Sequence, residues 1–389
     1  MNQRFYSLDV FRGATVALMI LVNNPGSWEH IYAPLEHAPW HGCTPTDLVF
    51  PFFLFAVGNA LAFVMPRLEA GGTPAFLKKI FKRTLLIFLI GLFLNWSPFI
   101  RWQDDHIVFR HWVNPDHQEN GVRILGVLQR IALCYLFASL IIYFFKIRGA
   151  FVAAAIILLG YWVLCLVNNP SDPFSIDGWF GTAIDEKILG IAHMYKGEGR
   201  AFDPEGLMST LPAIAQVIFG YLAGQYIIQK GKTFEMTSHI FVAAVVLLFA
   251  GMCWGMVFPI NKKIWTSSYV LYTSGLAIMI LSVMIHLIEL KNAKGFLTKF
   301  FDVFGKNPLF IFFLSGFLPR VLSLFRWIDY TDHEGKPVYT SAFPWLNDHV
   351  CKNISSNLNN GSLLYAIIMI LFYWSIVYWM DRKKLYIRV

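Results

Sequence analysis

The chain has 389 residues, of which 56% are hydrophobic and 14% charged; soluble globular domains carry about 25% charged residues, so an ordinary soluble fold is excluded. Mean hydropathy is +0.52, and the apolar runs are continuous rather than alternating, which excludes a β-barrel. The formal charge of +8 collects in short connections between those runs, the pattern of membrane topology and anionic-lipid contact rather than of nucleic-acid binding.

In chain order the apolar runs predict about ten transmembrane helices, at 8–23, 46–65, 80–96, 123–145, 149–167, 207–229, 238–258, 267–289, 300–325 and 362–381. Each approaches the roughly 20 residues needed to cross a hydrocarbon core of about 30 Å, and the ninth is interrupted by Lys306, Pro308 and Pro319. The chain therefore reads as an all-α polytopic membrane protein, one domain over 1–389 with any internal division near 230–238. The N-terminus (Arg4), the connections 66–79, 146–148, 230–237 and 290–299, and the tail "DRKKLYIRV" are basic, whereas loop 24–45 has neither Lys nor Arg. The positive-inside rule then puts both termini in the cytoplasm. The first run reads as an anchor rather than a cleavable signal. Cys134, Cys165 and Cys253 read as core residues, while Cys43 and Cys351 share the predicted outer side, where a disulfide is chemically allowed.

Ionisable groups in or beside lipid are costly, and they mark where function is to be sought. In "SLDVFRG", Asp9 and Arg12 share a helical face; the pair is either a structural bridge or leaves Arg12 for a phosphate. Asn23 and Asn24 close the first span before Pro25-Gly26, as a helix stop or as donors to a developing oxyanion. His37 and His41 are four apart, but Pro39 and Gly42 disfavour a helix and no third ligand follows, so no metal is expected. His37 stands beside Trp40 in the loop without Lys or Arg and is a general-base candidate; Asp47 suits the first turn of the second span. "RILGVLQR" sets Arg123 and Arg130 two turns apart with Gln129 alongside, to meet an acid such as Asp47 or Asp9 or the anionic part of a ligand. Asp203 and Glu205 precede span six, where capping is the simpler role. Lys306 raises the same choice as the arginines, and Asn307-Pro308 marks a broken helix whose opened backbone would line a cavity. These residues alone separate neither enzyme from transporter.

Taken in register, "SLDVFRGATVALMILVNN", "HAPWHGCTPTDLVFPFFLFAVG", "RILGVLQRIALCY", "FDPEGLMSTLPAI" and "GKNPL" resemble the heparan-α-glucosaminide N-acetyltransferase family, whose bacterial members include transmembrane glucosamine N-acetyltransferases. The resemblance runs from residue 7 to about 312; it covers the membrane domain of the animal enzyme, and the chain is expected to lack that enzyme's large lumenal domain. It implies transfer of acetyl from cytoplasmic acetyl-CoA to the amino group of glucosamine, or of a glucosamine-terminated glycan, on the far side of a bacterial inner membrane. His37 matches the family's essential histidine, as general base or transient acetyl carrier, with Asn23 and Asp47 in the catalytic set. Arg12, Arg123, Gln129, Arg130, Lys306 and Asn307 are candidates to hold acetyl-CoA, with the edge Lys78, Lys79, Lys82 and Arg83 nearby; Asn24, Trp40 and Glu205 are candidates for the acceptor. No metal is implied, and a homodimer is left open. The rival readings are an envelope-glycan O-acyltransferase and an amino-sugar permease without chemistry.

Overall fold

The computed structural model describes residues 5–387 apart from Asp104. Arg4 and Arg388, counted above among the basic ends, lie outside the described residues. In chain order the elements are α1 (Tyr6–Asn23), α2 (Val49–Glu69), α3 (Gly72–Trp96), the hairpin β1 (Ile100–Gln103) and β2 (His106–Phe109), and α4 (Val127–Asn168). Then come α5 (Gly181–Leu189), α6 (Leu207–Lys230), α7 (Phe234–Gly255), α8 (Ser267–Ile285), α9 (Phe296–Lys306) and α10 (Pro308–Leu322). A second hairpin, β3 (Trp327–Thr331) and β4 (Pro337–Thr340), leads through α11 (Ala342–Leu346) to α12 (Leu358–Arg382).

Among the described residues, seven helices are long and apolar enough to cross a membrane, or eight if α9 and α10, bent by 77°, form one broken span. The expected ten differs from this at two places with clear causes. Helix α3 carries Lys78, Lys79, Lys82 and Arg83 in its first half, so it is less apolar than its 25 residues suggest. Helix α4 runs for 42 residues, about 63 Å at 1.5 Å per residue and twice a hydrocarbon core. It turns at Lys146, whose φ of 57° is left-handed, where the fourth and fifth expected spans meet. The break at Asn307-Pro308 lies where expected, since Pro308 has no N–H to continue α9.

Helices α2 and α6 pack backbone to backbone. A Cβ added at Gly58 would lie 1.9 Å from the Val217 carbonyl oxygen, and one at Gly220 would lie 2.1 Å from that of Phe55. Close approach through small residues is how helices gain dispersion contact where lipid gives no hydrophobic drive. Around this pair, α4 and α8 close the largest apolar cluster, while α1, α9 and α12 build a second. The outward faces of α4 and α7 leave Phe145, Ile156, Val163, Val246 and Phe249 exposed, apolar surface of the kind a bilayer covers. This is a multi-pass helical membrane protein.

The connections gather at two ends. At one, Lys232 pairs with Glu289, Glu289 accepts the Ser7 N–H, and Lys306 pairs with Asp381. At the other, Trp40 donates to the Phe174 carbonyl, Gly42 to that of Ile260, and Gly26 to that of Ser362. Cys43 and Cys351 are free thiols in different apolar clusters, and Cys253, expected in the core, is exposed on α7.

Candidate active site

The loop before α2 is shaped by Pro45 and a reciprocal cap. Thr44 ends the extended approach, and Asp47 turns its carboxylate back to accept the Thr44 N–H at 3.0 Å and the Thr44 hydroxyl at 3.1 Å. The same oxygen, Oδ2, accepts the Ala38 N–H at 3.0 Å. Asp47 Oδ1 faces Nδ1 of His37 at 2.6 Å, and Tyr269 donates to the Asp47 carbonyl at 2.6 Å. Asp47 is 1% exposed, whereas the His37 side chain is 44% exposed. A buried, fully hydrogen-bonded carboxylate thus grips one nitrogen of a ring whose other edge is open.

Lys262, on the α7–α8 connection, completes the cluster. Its Nζ lies 3.4 Å from Asp47 Oδ1 and 3.1 Å from His37 Nδ1. Nδ1 cannot both give a proton to Asp47 and accept one from Lys262. The shorter contact and the carboxylate's charge assign the proton to Nδ1, bonded to Asp47, which leaves the Nε2 lone pair free. Burial pushes the Lys262 ammonium below its ordinary value, against the pull of Asp47 and then Glu205. The neighbouring Lys263 donates to the Pro39 carbonyl at 2.7 Å and pairs with Glu198 at 2.5 Å. His41 meets the Asn261 amide at 3.3 Å, and burial lowers its pKa; among the described residues no carboxylate faces it as Asp47 faces His37. Neither lysine was anticipated. The available signal was two cations in a short loop on the predicted outer side, against the positive-inside rule.

Asn23 ends α1 and lines a cavity of about 230 Å³ with Asn24, Asn95, Arg123, Gln129 and Arg320. His37 is not among the lining residues. Asn24 bonds back to the Ile20 carbonyl at 2.9 Å, and Gln129 donates to that of Ile124 at 2.9 Å. A larger cavity of about 680 Å³ lies between α1, α2, α3, α4 and the α9–α10 break. Its cations are Arg12, Arg83 and Lys306. Arg12 bridges Asp9 at 3.3 Å and donates to the Gly305 carbonyl at 3.0 Å; Lys306 pairs with Asp302 at 2.7 Å. The two cavities share Leu128 and Phe312 as lining residues. Asn307 instead ties down the tail, giving to the Leu385 carbonyl and accepting the Ile387 N–H.

The arginines of "RILGVLQR" do not share a helical face. Helix α4 starts only at Val127, because Gly126 is extended and Asn95 holds the carbonyls of Arg123 and Leu125. Arg123, ahead of the helix, grips Asp203 at 3.0 and 2.5 Å and also Glu205, rather than Asp47 or Asp9. Burial would raise the Glu205 pKa, but Arg123 and then Arg130 outweigh it and the pKa is lowered. Arg130 is wholly buried and lines neither cavity; it gives to the Pro204 carbonyl at 2.6 Å and to Ser209, and lies over Trp265 at 4.9 Å. Trp40 packs against Phe202 and anchors the histidine loop to the 168–206 connection.

Capping of α6 falls to neither Asp203 nor Glu205. Asp185 of α5 accepts the Leu207 N–H at 2.9 Å on Oδ1, while its Oδ2 has no hydrogen-bond partner among the described residues. Burial, opposed by the Leu207 N–H and assisted by Asp203, pushes its pKa up to about 7 from an ordinary 3.8. A folded state that holds this proton more tightly than the unfolded chain has its full contribution below about pH 4 and loses it as pH rises to about 7. Thermal melts of the detergent-solubilised protein over that window should show stability falling by a few kcal/mol, at about 1.4 per unit. Asp185→Asn should flatten that slope, and an unchanged slope would show that Asp185 does not carry it.

A family model described as "Heparan-alpha-glucosaminide N-acetyltransferase, catalytic" matches residues 4–253. The human protein named heparan-alpha-glucosaminide N-acetyltransferase is 26% identical over 348 residues, covering 74% of this chain and 49% of its own length. The mouse protein of that name is 25% identical over 350 residues, covering 74% and 50%. The chain spans about half the length of these curated relatives. His37, Asp47, Asn23 and Arg123 lie inside the family match, and Lys262 lies beyond it.

Proposed function

Because this chain belongs to the heparan-α-glucosaminide N-acetyltransferase family, we propose that it moves acetyl from acetyl-CoA to the amino group of glucosamine or a glucosamine-terminated glycan across a membrane. The observation that carries this reading is the His37–Asp47 pair, 2.6 Å apart, with no hydrogen bond to Nε2 among the described residues and the side chain 44% exposed. An amine attacks a thioester only as the free base, and Nε2 of a neutral imidazole takes the proton that the attack releases. Asp47 holds the ring's tautomer and stabilises the imidazolium, and Lys262 offsets the carboxylate's charge. Asn23 is assigned to the oxyanion that develops on the acetyl carbonyl. The same Nε2 lone pair would serve if acetyl rested on His37 between two half-reactions.

The large cavity suits the donor. Its volume of about 680 Å³ falls in the range of small-molecule sites, with Arg12, Arg83 and Lys306 for phosphates and apolar walls such as Phe53, Leu128 and Ile131 for the pantetheine arm. Acetyl-CoA supplies the activated thioester; the chain supplies the base and the hydrogen-bond donors. Both termini and the basic end are assigned to the cytoplasm of a bacterial inner membrane, with His37 on the far side, and the chain to one transmembrane acyltransferase domain.

Purified protein in proteoliposomes, given labelled acetyl-CoA and glucosamine, should form labelled N-acetylglucosamine. No product would overturn the reading. Labelling of N-acetylglucosamine supplied as acceptor would instead identify an O-acyltransferase.

A further inference from the structure

A third cavity, of about 620 Å³, opens between the end of α3, the β1–β2 hairpin and the end of α10. Four arginines line it: Arg101, Arg110, Arg123 and Arg320. Arg123 is answered by Asp203 and Glu205. The other three have no ion pair among the described residues: Arg110 donates to the Ser97 carbonyl at 3.4 Å and Arg320 to that of Leu94. Burial first, and then Arg101, push the Arg110 pKa down, as befits a cation beside another cation. The nearby Arg326 is already paired with Asp105 at 3.1 Å. Three guanidiniums around one cavity repel each other unless an anion is brought to them.

The cavity adjoins the one that Asn23 lines, sharing Asn95, Arg123 and Arg320. Trp102 and Tyr195 contribute aromatic walls, the surface on which a sugar ring packs its C–H face. We propose that this cavity is an acceptor subsite for a phosphate ester, so that the preferred acceptor is a phosphorylated amino sugar rather than neutral glucosamine. Guanidinium forks match phosphate oxygens in pairs. A dianionic phosphate monoester answers three positive charges better than a singly charged carboxylate or sulfate ester does. The proposal rests on the acetyltransferase reading for what happens next, but not for the binding itself.

The test measures binding by calorimetry on the detergent-solubilised full chain, with glucosamine, glucosamine 6-sulfate and glucosamine 6-phosphate as probes. The phosphate ester should bind about tenfold or more tighter than glucosamine, with the sulfate between them. Arg101→Gln and Arg110→Gln should each shrink that ratio several-fold. Arg200→Gln, which removes the same charge from a surface pair with Asp177, should leave it intact. Equal binding of the three sugars, or a ratio that survives both cavity variants, overturns the subsite. So does a loss in the cavity variants that falls on acetyl-CoA but not on its 3′-dephospho form, since the phosphate served would then be the donor's. Binding of glucosamine 6-phosphate without any acetyl transfer would leave the subsite standing and sink the enzymatic reading alone.

Discussion

Replacing His37 with alanine is expected to lower acetyl transfer by about 10²–10⁴-fold, the range supplied by a positioned general base. The loss should fall on kcat, with the KM for acetyl-CoA little changed, because His37 lines neither the cavity with Arg12 nor the cavity with Asn23. The fold should tolerate the change: the side chain is nearly half exposed, and the loop is held by Asp47, Trp40 and Lys263 instead. Asp47→Asn is the sharper companion. An amide NH₂ facing Nδ1 would donate rather than accept, driving the ring proton to Nε2 and removing the base while leaving the imidazole in place. Its activity should fall nearly as far as that of His37→Ala, and the double variant should be little worse than either single one. Activity of His37→Ala within a few-fold of wild type would overturn the catalytic assignment.

Arg123→Met should produce the largest loss of stability. It would strand Asp203 and Glu205, which are 0% and 12% exposed in their side chains, without the cation that grips both. Breaking one partner of a buried ion pair typically costs about 3–5 kcal/mol. The thermal midpoint in detergent should drop by several degrees, and loop 168–206 should become more sensitive to limited proteolysis. Neutralising the acids as well, with Asp203→Asn and Glu205→Gln added to Arg123→Met, should recover part of the loss. If the triple variant were no more stable than Arg123→Met, the penalty would lie in packing and not in uncompensated charge.

The helices were legible because lipid imposes long apolar runs, and the bend at Asn307-Pro308 because proline cannot continue a helix. What the pattern could not show was where a helix starts when a neighbour intervenes. Arg123 reads as the first residue of a span, yet Asn95 and extended Gly126 hold it in a loop where Asp203 and Glu205 can reach it. His37, Asp47 and Asn23 could be named from local spacing and family resemblance. Lys262 could not, since it meets His37 across 225 positions of sequence, and only the folded connections bring the two together. The same distance hid the cavity of Arg101, Arg110 and Arg320, drawn from a hairpin and the end of a helix far along the chain. Cys253 shows the converse error: an apolar neighbourhood in sequence does not say which face of α7 looks outward.

Leu128 and Phe312 line both the cavity with Arg12 and the cavity with Asn23. Where water enters a membrane protein from both ends, the compartments are insulated only by what stands between the two wet spaces. The residues common to the two linings are an aliphatic and an aromatic side chain, neither of which offers an ion a polar atom. An apolar boundary of this kind sheds water and resists charge, and it is firmly packed: Leu128 is 3% exposed and sits in a cluster with Ile87, Leu94 and Ala132, against which Phe312 packs. Under the transfer proposed above, apolar side chains would stand between the donor's cavity and the acceptor's, so acetyl would pass without a polar path for ions.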